Sequence, residues 1–348
     1  MARASAPGRV NLIGEHTDYN EGLVLPAAIP RRVTIDVSPR ADRGVRLESA
    51  HFPPVAYALG DERRAGDWAD HVRGITWALA AAGHRVGGFD ASVRSSLPPG
   101  AGLASSAALG VAMLRALREQ HALALDDLAI ARLAHRAESQ FVGARVGTMD
   151  QLSASLGRDG EVLFIDTRTL AIERVPLPAD LALVVIDSGI RHEHASGAYN
   201  VRRAECDEAA RRLGVRALRD ATPGGIERLV RDHPALGRRA RHVVSENERV
   251  RTFLDALRAG DLGICGQVLD ASHRSLRDDF EVSLPEADAL AEALRAEAGV
   301  YGARLVGGGF GGSVLGITRP RDAAAVASRA AERYRTSVGR TASVLLPA

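Results

Sequence analysis

A glycine-rich stretch that leads into a helix start has the residue types of an anion site. Gly100 and Gly102 let the backbone come close to a ligand, because glycine has no Cβ. Ser105 and Ser106 place hydroxyls at the start of the helix predicted over 105–120. The unpaired N–H groups and the dipole of a first helical turn favour negative charge at that point. The stretch therefore predicts a polyphosphate site.

The composition excludes several ways of handling phosphate. The chain has no lysine, so all 45 of its basic residues are arginine. A Walker P-loop needs a lysine after its glycines, protein kinases need a strand lysine, and Schiff-base enzymes need a reactive amine. Phosphate chemistry in this chain has to be carried by arginine side chains and backbone N–H groups.

A second polar cluster follows the apolar residues Val10, Leu12 and Ile13, and it consists of Glu15, His16, Thr17 and Asp18. Carboxylates accept hydrogen bonds from sugar hydroxyls, while His16 and Thr17 can also donate them. This density of polar groups fits a polyol, and a strand that ends in a surface turn is the alternative. No second histidine or cysteine stands at zinc-ligand spacing from His16, which disfavours a zinc site.

Two acidic residues twelve positions apart, Glu138 and Asp150, flank a glycine-containing link at 141–147. Solvated carboxylates on helix surfaces are the ordinary alternative. Asp150 falls near a predicted helix N-terminus, where the dipole favours a negative charge. We expect one carboxylate to bind Mg²⁺ and the other to orient or deprotonate a hydroxyl.

The segment 302–312 is the third candidate, since seven of its eleven residues are glycine or alanine. It lacks the spacing and the acidic follow-up of a dinucleotide fingerprint. A glycine-rich turn between strands is the alternative. We expect its backbone to approach the phosphate loop or the substrate closely.

The elements that position these residues mix strands and helices. Alternating or continuous apolar runs predict strands over 32–38, 89–97, 161–166 and 181–187. Helical spacing predicts helices over 105–120, 126–141, 197–213, 238–259, 285–298 and 322–338. Asp126 is predicted to cap the second of these helices. The capping-box spacing of Thr148 and Gln151 predicts a further helix that begins at Met149.

Length and charge bound the organisation and the partners. With 348 residues the chain is long enough for two domains, predicted as 1–175 and 176–348. A net charge of +2 with scattered arginines disfavours nucleic acid and membranes as partners. Cys206 and Cys265 have no metal-ligand spacing, and no apolar run reaches the length of a membrane span. These features predict a cytoplasmic protein, and we expect a monomer.

Taken in order, these segments resemble those of the galactokinases, which belong with homoserine, mevalonate and phosphomevalonate kinases to the GHMP family of small-molecule kinases. Residues 8–20 resemble the galactokinase signature, 98–108 the shared ATP loop and 302–312 the third family motif. The segments 146–151 and 199–206 also resemble galactokinase segments.

The resemblance implies a fold and an activity. The fold is α+β, with an N-terminal domain like the second domain of ribosomal protein S5 and a ferredoxin-like C-terminal domain. The activity is the ATP-dependent phosphorylation of the anomeric hydroxyl of galactose to galactose 1-phosphate, the first committed step of the Leloir pathway. ATP and Mg²⁺ are the implied cofactors.

The resemblance also implies roles for individual residues. Asp150 corresponds to the catalytic base, and Arg9 beside it stabilises the transferring phosphoryl group or the charge of the base. The implied sugar-binding residues are Glu15, His16, Thr17, Asp18 and Tyr199. The implied phosphate-binding residues are Gly100, Ala101, Gly102, Leu103, Ala104, Ser105 and Ser106, and the implied Mg²⁺ ligands are Ser106 and Glu138.

Two departures and two alternatives accompany the resemblance. Ala104 stands where galactokinases commonly have serine, and Glu21 replaces a common glycine. A kinase for arabinose, galacturonate or N-acetylgalactosamine is one alternative, because a few contacts decide the tolerance at one ring substituent. A sensor that binds galactose and ATP but regulates transcription through a partner is the other. An enzyme is favoured by the presence of Asp150, Arg9, Ser106 and Glu138.

Overall fold

The structure is a computed structural model that describes residues 1–98, 100–191 and 195–347. Its strands are β1 (Ala2–Asn11), β2 (Leu23–Val24), β3 (Pro26–Pro39), β4 (Gly44–Ser49), β5 (Val55–Ala58), β6 (Phe89–Ser95), β7 (Glu161–Asp166), β8 (Ala171–Pro176), β9 (Ala182–Arg191), β10 (Gly302–Leu305), β11 (Gly311–Thr318) and β12 (Ser343–Leu346). Its α-helices are α1 (Asp70–Ala81), α2 (Ser105–His121), α3 (Asp127–Arg136), α4 (Met149–Leu156), α5 (Ala195–Leu213), α6 (Pro223–Asp232), α7 (Pro234–Ala259), α8 (Leu262–Asp278), α9 (Pro285–Arg295) and α10 (Ala323–Val338).

The chain divides into two compact units, and each unit is built from segments that are separated in the sequence. The first unit consists of Met1–Arg9, Ala28–Pro99 and Leu103–Asp159, and the second of Val10–Ala27, Gly100–Gly102 and Gly160–Ala348. The division into domains 1–175 and 176–348 stays a prediction.

The first unit contains helices α1 to α4 and a sheet in which β3, β6, β4 and β5 are neighbours in that order. The β3 strand pairs with β6 in antiparallel register, with Ile35 opposite Val93. Its residues Val33, Ile35 and Val37 alternate along the strand and are buried, as the period of two requires for one core face. Helix α2 is buried through small residues, and Gly110 lies close to Ile75 of α1 and to α3. A residue with a larger side chain there would push the helices apart.

The second unit contains an antiparallel sheet in the order β10, β11, β9, β12. Helices α9 and α10 supply Leu290, Leu294 and Val326 to a core that also contains Ile186 and Val314 from the central strands. Burying each such side chain contributes about 1.5–3 kcal/mol relative to exposure. This four-stranded antiparallel sheet with helices on it agrees with the predicted ferredoxin-like domain.

The second unit also holds the antiparallel strands β2, β7 and β8, and a separate apolar core around α5, α6 and α7. Cys206, Phe280 and Leu305 belong to this core. The two cysteines are free and buried. Among the helices of the described part of the chain, none combines the length and the apolar character that a bilayer crossing demands.

Most predicted elements are confirmed, with ends that shift by a few residues. The strand over 161–166 and the start of α2 at Ser105 agree residue for residue. Asp126 caps α3 as predicted, since its carboxylate accepts a hydrogen bond of 2.7 Å from the N–H of Ala129. Strands β1, β2, β4, β5, β8, β10 and β11 and helices α1, α6 and α8 were not among the predicted elements.

Two local predictions are wrong. The helix predicted over 126–141 stops being an α-helix at Arg136 and continues as a π-helix over Ala137–Val142. A π-turn widens the helix locally and is frequent at functional sites. Helix α4 does begin at Met149, but Thr148 does not cap it through its side chain. The partner expected in the capping box, Gln151, instead donates a hydrogen bond to Glu138.

Candidate active site

The first unit brings Arg9 and Asp150 into direct contact. Nε of Arg9 donates a hydrogen bond of 2.8 Å to Oδ1 of Asp150, and its NH2 lies 2.7 Å from the same oxygen. The Arg9 side chain is 5% exposed, while the Asp150 side chain is 27% exposed in the first turn of α4. The backbone N–H of Arg9 donates to the carbonyl of Leu103 at 3.1 Å. The pair therefore lies beside the loop that leads into α2.

The same unit joins Ser106 and Glu138. The hydroxyl of Ser106 donates a hydrogen bond of 2.8 Å to Oε1 of Glu138. Nε2 of Gln151 donates to the other carboxylate oxygen at 2.7 Å. Because Gln151 follows Asp150 directly in α4, this hydrogen bond ties Glu138 to the same helical turn that carries Asp150.

The residue types around Glu138 fit a hard divalent cation. Mg²⁺ prefers oxygen ligands and binds through one or two carboxylates, waters and substrate phosphates rather than through an all-protein cage. Ser106 and Glu138 offer a hydroxyl and a carboxylate oxygen 2.8 Å apart. Oε1 of Gln151 is buried without a hydrogen-bond partner among the described residues. Within those residues no group of three or more His, Cys, Asp and Glu side chains could hold a metal.

The backbone of the predicted phosphate loop leads into α2 without a side-chain cap at the N-terminus of the helix. Gly100, Gly102 and Ala104 all have positive φ, at 71°, 76° and 58°. Ala104 precedes α2 and provides no side-chain cap, so the N–H groups of the first turn are not capped by it. A helix start of this kind attracts anions. Pro99, which the motif also includes, lies outside the described residues.

The glycine-rich segment 302–312 approaches part of this loop within the second unit, as predicted. Gly102 and Gly307 are so close that a Cβ on Gly307 would lie 3.4 Å from the Cα of Gly102. The hydroxyl of Ser313 donates to the carbonyl of Ala101 at 2.8 Å. A Cβ on Gly307 at 3.4 Å would make ordinary van der Waals contact, so it is the positive φ of Gly102 and Gly307, 76° and 82°, that favours glycine at the two positions.

A cavity of about 170 Å³ lies in the first unit beside the start of α2. Ser105, Ser106 and Leu97 line it at one side, and the rings of Phe52 and Trp68 stack at 5.8 Å on its wall. Sequence reasoning missed this cavity. Only 4% of the residues are aromatic, and a partly exposed Phe–Trp pair was the one available signal.

The cluster at 15–18 lies in the second unit, and two of its side chains form hydrogen bonds with backbone groups of the protein. Thr17 is fully buried, and its hydroxyl contacts the carbonyls of Gly14 at 2.8 Å and Leu23 at 2.6 Å. The carboxylate of Glu15 is also buried, and it accepts a hydrogen bond of 2.9 Å from the N–H of Gly307. These contacts shape the loop, and the predicted sugar contacts of both residues stay predictions.

His16 lies in an aromatic pocket of the same unit. The centroid of its ring is 4.6 Å from that of Phe280 and 5.5 Å from that of Tyr199, and Nδ1 is hydrogen-bonded to the Tyr19 hydroxyl at 2.8 Å. Its Nε2 is buried without a hydrogen-bond partner in the described part of the chain. A buried polar atom without a partner costs free energy, and a sugar hydroxyl is a suitable partner. Asp18 beside it is partly exposed.

Two buried histidines predict how stability depends on pH. Burial, reinforced by the neighbouring His242 and Arg304, lowers the pKa of His16 to about 3, and burial lowers the pKa of His242 to about 4. Below pH 6.5 the unfolded chain therefore binds more protons than the folded protein. The free energy of unfolding should fall as the pH is lowered from about 6.5 to 4, by about 2 kcal/mol per histidine at pH 5.

Thermal unfolding of the ligand-free protein at pH 7, 6 and 5 checks this expectation. The unfolding temperature should decrease steadily, and His242→Gln should reduce the slope against pH. An unfolding temperature that is constant over this range would contradict it. Glu246 adds little at pH 7, 6 and 5, because its lowered pKa of about 2 changes stability mainly once the pH falls below its usual value of 4.5.

Sequence reasoning also missed four polar residues that surround the cluster at 15–18, namely His242, Glu246, Asn247 and Arg304. All four are buried. The available signal was the spacing of His242 and Glu246, which stand at positions i and i+4 of a helix and therefore share one face, with the polar Asn247 directly after them.

Comparisons with known families show what the chain is similar to. The chain matches the model of the galactokinase galactose-binding signature over residues 2–39, of the GHMP kinases N terminal domain over 70–158 and of the GHMP kinases C terminal over 253–336. It is 44% identical to a galactokinase of Roseiflexus sp. (strain RS-1), over 97% of this chain and 89% of that protein. It is also 44% identical to a galactokinase of Streptomyces coelicolor, over 89% of this chain and 83% of that protein.

Solved structures give the same result for the fold. The crystal structure of Lactococcus lactis galactokinase complexed with galactose has a TM-score of 0.94 at 32% identity, covering 99% of this chain and 92% of that one. The Methanococcus jannaschii mevalonate kinase has a TM-score of 0.69 at 16% identity, covering 99% and 96%, and shares the fold. The α+β fold with two GHMP kinase domains is confirmed.

Proposed function

Since the chain belongs to the galactokinase family, we propose that it transfers the γ-phosphoryl group of ATP to the anomeric hydroxyl of galactose, releasing ADP and galactose 1-phosphate. The observation that carries this proposal is the Arg9–Asp150 pair, which lies beside Leu103 in the unit that also joins Ser106 to Glu138. A base, a cation and oxygen ligands for Mg²⁺ are the groups that phosphoryl transfer requires.

Asp150 is the general base of the proposed reaction. It takes the proton of the anomeric hydroxyl while that oxygen forms its bond to the γ-phosphorus and the bond to the β-phosphate oxygen breaks. Arg9 holds the carboxylate through its Nε and NH2 groups, and its positive charge also stabilises charge on the transferring phosphoryl group. Two short contacts from a buried guanidinium to Oδ1 hold the carboxylate beside Arg9, which favours a fixed position for the base.

Phosphate binding is assigned to the loop of Gly100, Ala101, Gly102, Leu103, Ala104, Ser105 and Ser106. The N–H groups at the start of α2 face the phosphates, and the positive φ values of Gly100, Gly102 and Ala104 set the backbone for this task. Ser106 and Glu138 would hold Mg²⁺. When bound, Mg²⁺ neutralises charge on the β- and γ-phosphate oxygens.

The cavity beside α2 is assigned to the nucleobase. Its Phe52–Trp68 wall offers a flat apolar surface, and Ser105 and Ser106 connect it to the start of the phosphate loop. Aromatic rings bind nucleobases by stacking, which tolerates any base with a π-face.

The sugar is assigned to the residues around His16. Nε2 of His16 is the buried atom that requires a partner, and Asp18 and Tyr199 are the neighbouring groups that can bind further hydroxyls. Glu15 and Thr17 act by shaping the loop through the contacts described above. A monomeric state and a cytoplasmic location remain predictions, and free buried cysteines are consistent with a reducing compartment.

The release of ADP over a panel of sugars tests the proposal. Galactose, arabinose, galacturonate and N-acetylgalactosamine are each added with ATP and Mg²⁺, and kcat/KM is compared. We expect galactose to give the highest value. A higher value for another sugar would identify a kinase of the same class with a different substrate. Binding of galactose and ATP without ADP release would instead identify a sensor.

A further inference from the structure

Helix α7 presents polar side chains that form hydrogen bonds with the backbone of the segment 14–23. This segment contains His16 and Asp18 of the proposed sugar site. Oε1 of Glu246 accepts a hydrogen bond of 3.1 Å from the N–H of Gly14. Oδ1 of Asn247 accepts one of 2.7 Å from the N–H of Leu23. The segment is therefore fixed at both of its ends by adjacent residues of one helix.

His242, one turn before Glu246, holds Glu15, the residue that follows Gly14 in this segment. Its Nε2 donates to the carbonyl of Glu15 at 3.1 Å, and its Nδ1 is hydrogen-bonded to the Ser275 hydroxyl at 2.9 Å. The neutral imidazole has one donor and one acceptor nitrogen, so both are used. We refer to the following set as the anchor face: His242, Glu246 and Asn247.

Glu246 is a buried charge at the centre of the anchor face, with no solvent exposure. It is compensated by Nε of Arg249 at 2.6 Å, by the Ser272 hydroxyl at 2.7 Å and by Arg304 at 3.8 Å. Burial alone would raise the pKa of this carboxyl, but Arg249 leads the charges that lower it to about 2. A buried carboxylate is costly without such partners, so its presence here needs a reason.

Arg304 lies between Glu246 and Glu15 of the segment 14–23. Its guanidinium is fully buried, forms an ion pair with the carboxylate of Glu15, and donates to the carbonyl of Leu12 at 3.2 Å. The row Glu15, Arg304, Glu246 thus places one cation between two buried anions. Removing either anion changes the charge balance around the backbone that precedes His16.

We propose that the anchor face is the positioning element of the sugar site, with Glu246 as its central positioning residue, and that it sets the affinity for the sugar without touching it. This inference rests on the proposed function for the identity of the sugar. None of the contacts of the anchor face described above involves Asp150 or the phosphate loop, so its effect should be confined to the sugar.

The test compares Glu246→Gln with Glu248→Gln. Glu248 lies two residues further along α7 and is exposed, which makes it a matched control. Glutamine keeps the size of Glu246 but removes the charge that Arg304 and the N–H of Gly14 meet. We expect about a tenfold increase in the KM for galactose in Glu246→Gln, with the KM for ATP and kcat within twofold, and no change in Glu248→Gln.

Hydrogen–deuterium exchange of the ligand-free protein supplies a readout that is independent of activity. Exchange over residues 10–25 should become faster in Glu246→Gln and stay the same in Glu248→Gln. Asn247→Leu, which removes the acceptor for Leu23, should give the same two effects and covers the case in which Glu246→Gln does not fold.

The outcomes separate the two proposals. Unchanged exchange over 10–25, or an equal rise of both KM values, would overturn the role of the anchor face. Absence of galactose-dependent ADP release in the unsubstituted protein would overturn the proposed function, and the exchange comparison would still decide whether α7 positions the segment.

Discussion

The substitution Asp150→Asn is expected to lower kcat for galactose phosphorylation by a factor of about 10²–10⁴, which is the usual contribution of a general base. An amide of the same size cannot take the proton of the anomeric hydroxyl. The substitution also replaces the charged partner of the buried Arg9. Galactose affinity should stay within a few-fold, because Asp150 acts on the reacting hydroxyl and the remaining hydroxyls are assigned to His16, Asp18 and Tyr199.

A coupled assay for ADP and calorimetric titration with galactose measure the two quantities separately. Asp159→Asn is the matched control, since Asp159 is 62% exposed and forms a surface pair with Arg32. Such pairs contribute about 0–1 kcal/mol to stability, so the control should keep full activity. Turnover close to normal in Asp150→Asn would show that the base is another group.

The substitution Glu138→Gln is expected to have the second largest effect. It keeps the shape of the side chain beside Ser106 and Gln151 but removes the negative charge that would bind Mg²⁺. Mutation of a residue that contacts only the ligands of a metal already lowers metal affinity about 10–100-fold. Because Glu138 is itself a proposed ligand, we expect kcat/KM for ATP to fall about 100-fold or more.

The measurement is the initial rate as a function of Mg²⁺ concentration at fixed ATP. Glu138→Gln should need more Mg²⁺ to reach half of its maximal rate, while the KM for galactose stays near its normal value. Glu119→Gln, an exposed position on α2, is the control. If the two variants depended on Mg²⁺ in the same way, Glu138 would not be a ligand.

The sequence predicted the parts of the molecule that depend on local chemistry. The helix start at Ser105 after the glycines was predicted from local residue types, and phosphate binding there stays a prediction. Asp126 was recognised as a cap because its carboxylate accepts a hydrogen bond from the third N–H of its own helix. The resemblance supplied the pairing of Arg9 with Asp150, which lie 141 positions apart in the chain. Composition and spacing alone do not predict such a contact.

The failures have a common physical cause, which is competition from distant partners. The side chain of Gln151 has the spacing of a capping box with Thr148, yet it bonds to the charged Glu138, since hydrogen bonds to charged groups are the stronger ones. Glu246 and Arg304 were missed because a charged side chain in a helix or strand is normally solvated. Their burial depends on contacts with Gly14 and Glu15 that are distant in sequence.

Identification of the phosphorylated product is the most direct test of the proposed activity. The protein is incubated with ATP, Mg²⁺ and galactose, and the product is analysed by phosphorus–proton correlation NMR. We expect stoichiometric ADP and a phosphate that couples to the anomeric proton of galactose. A phosphate on another carbon, or ADP formed at the same rate without galactose, would contradict the assignment of Asp150 and Arg9 to anomeric phosphoryl transfer.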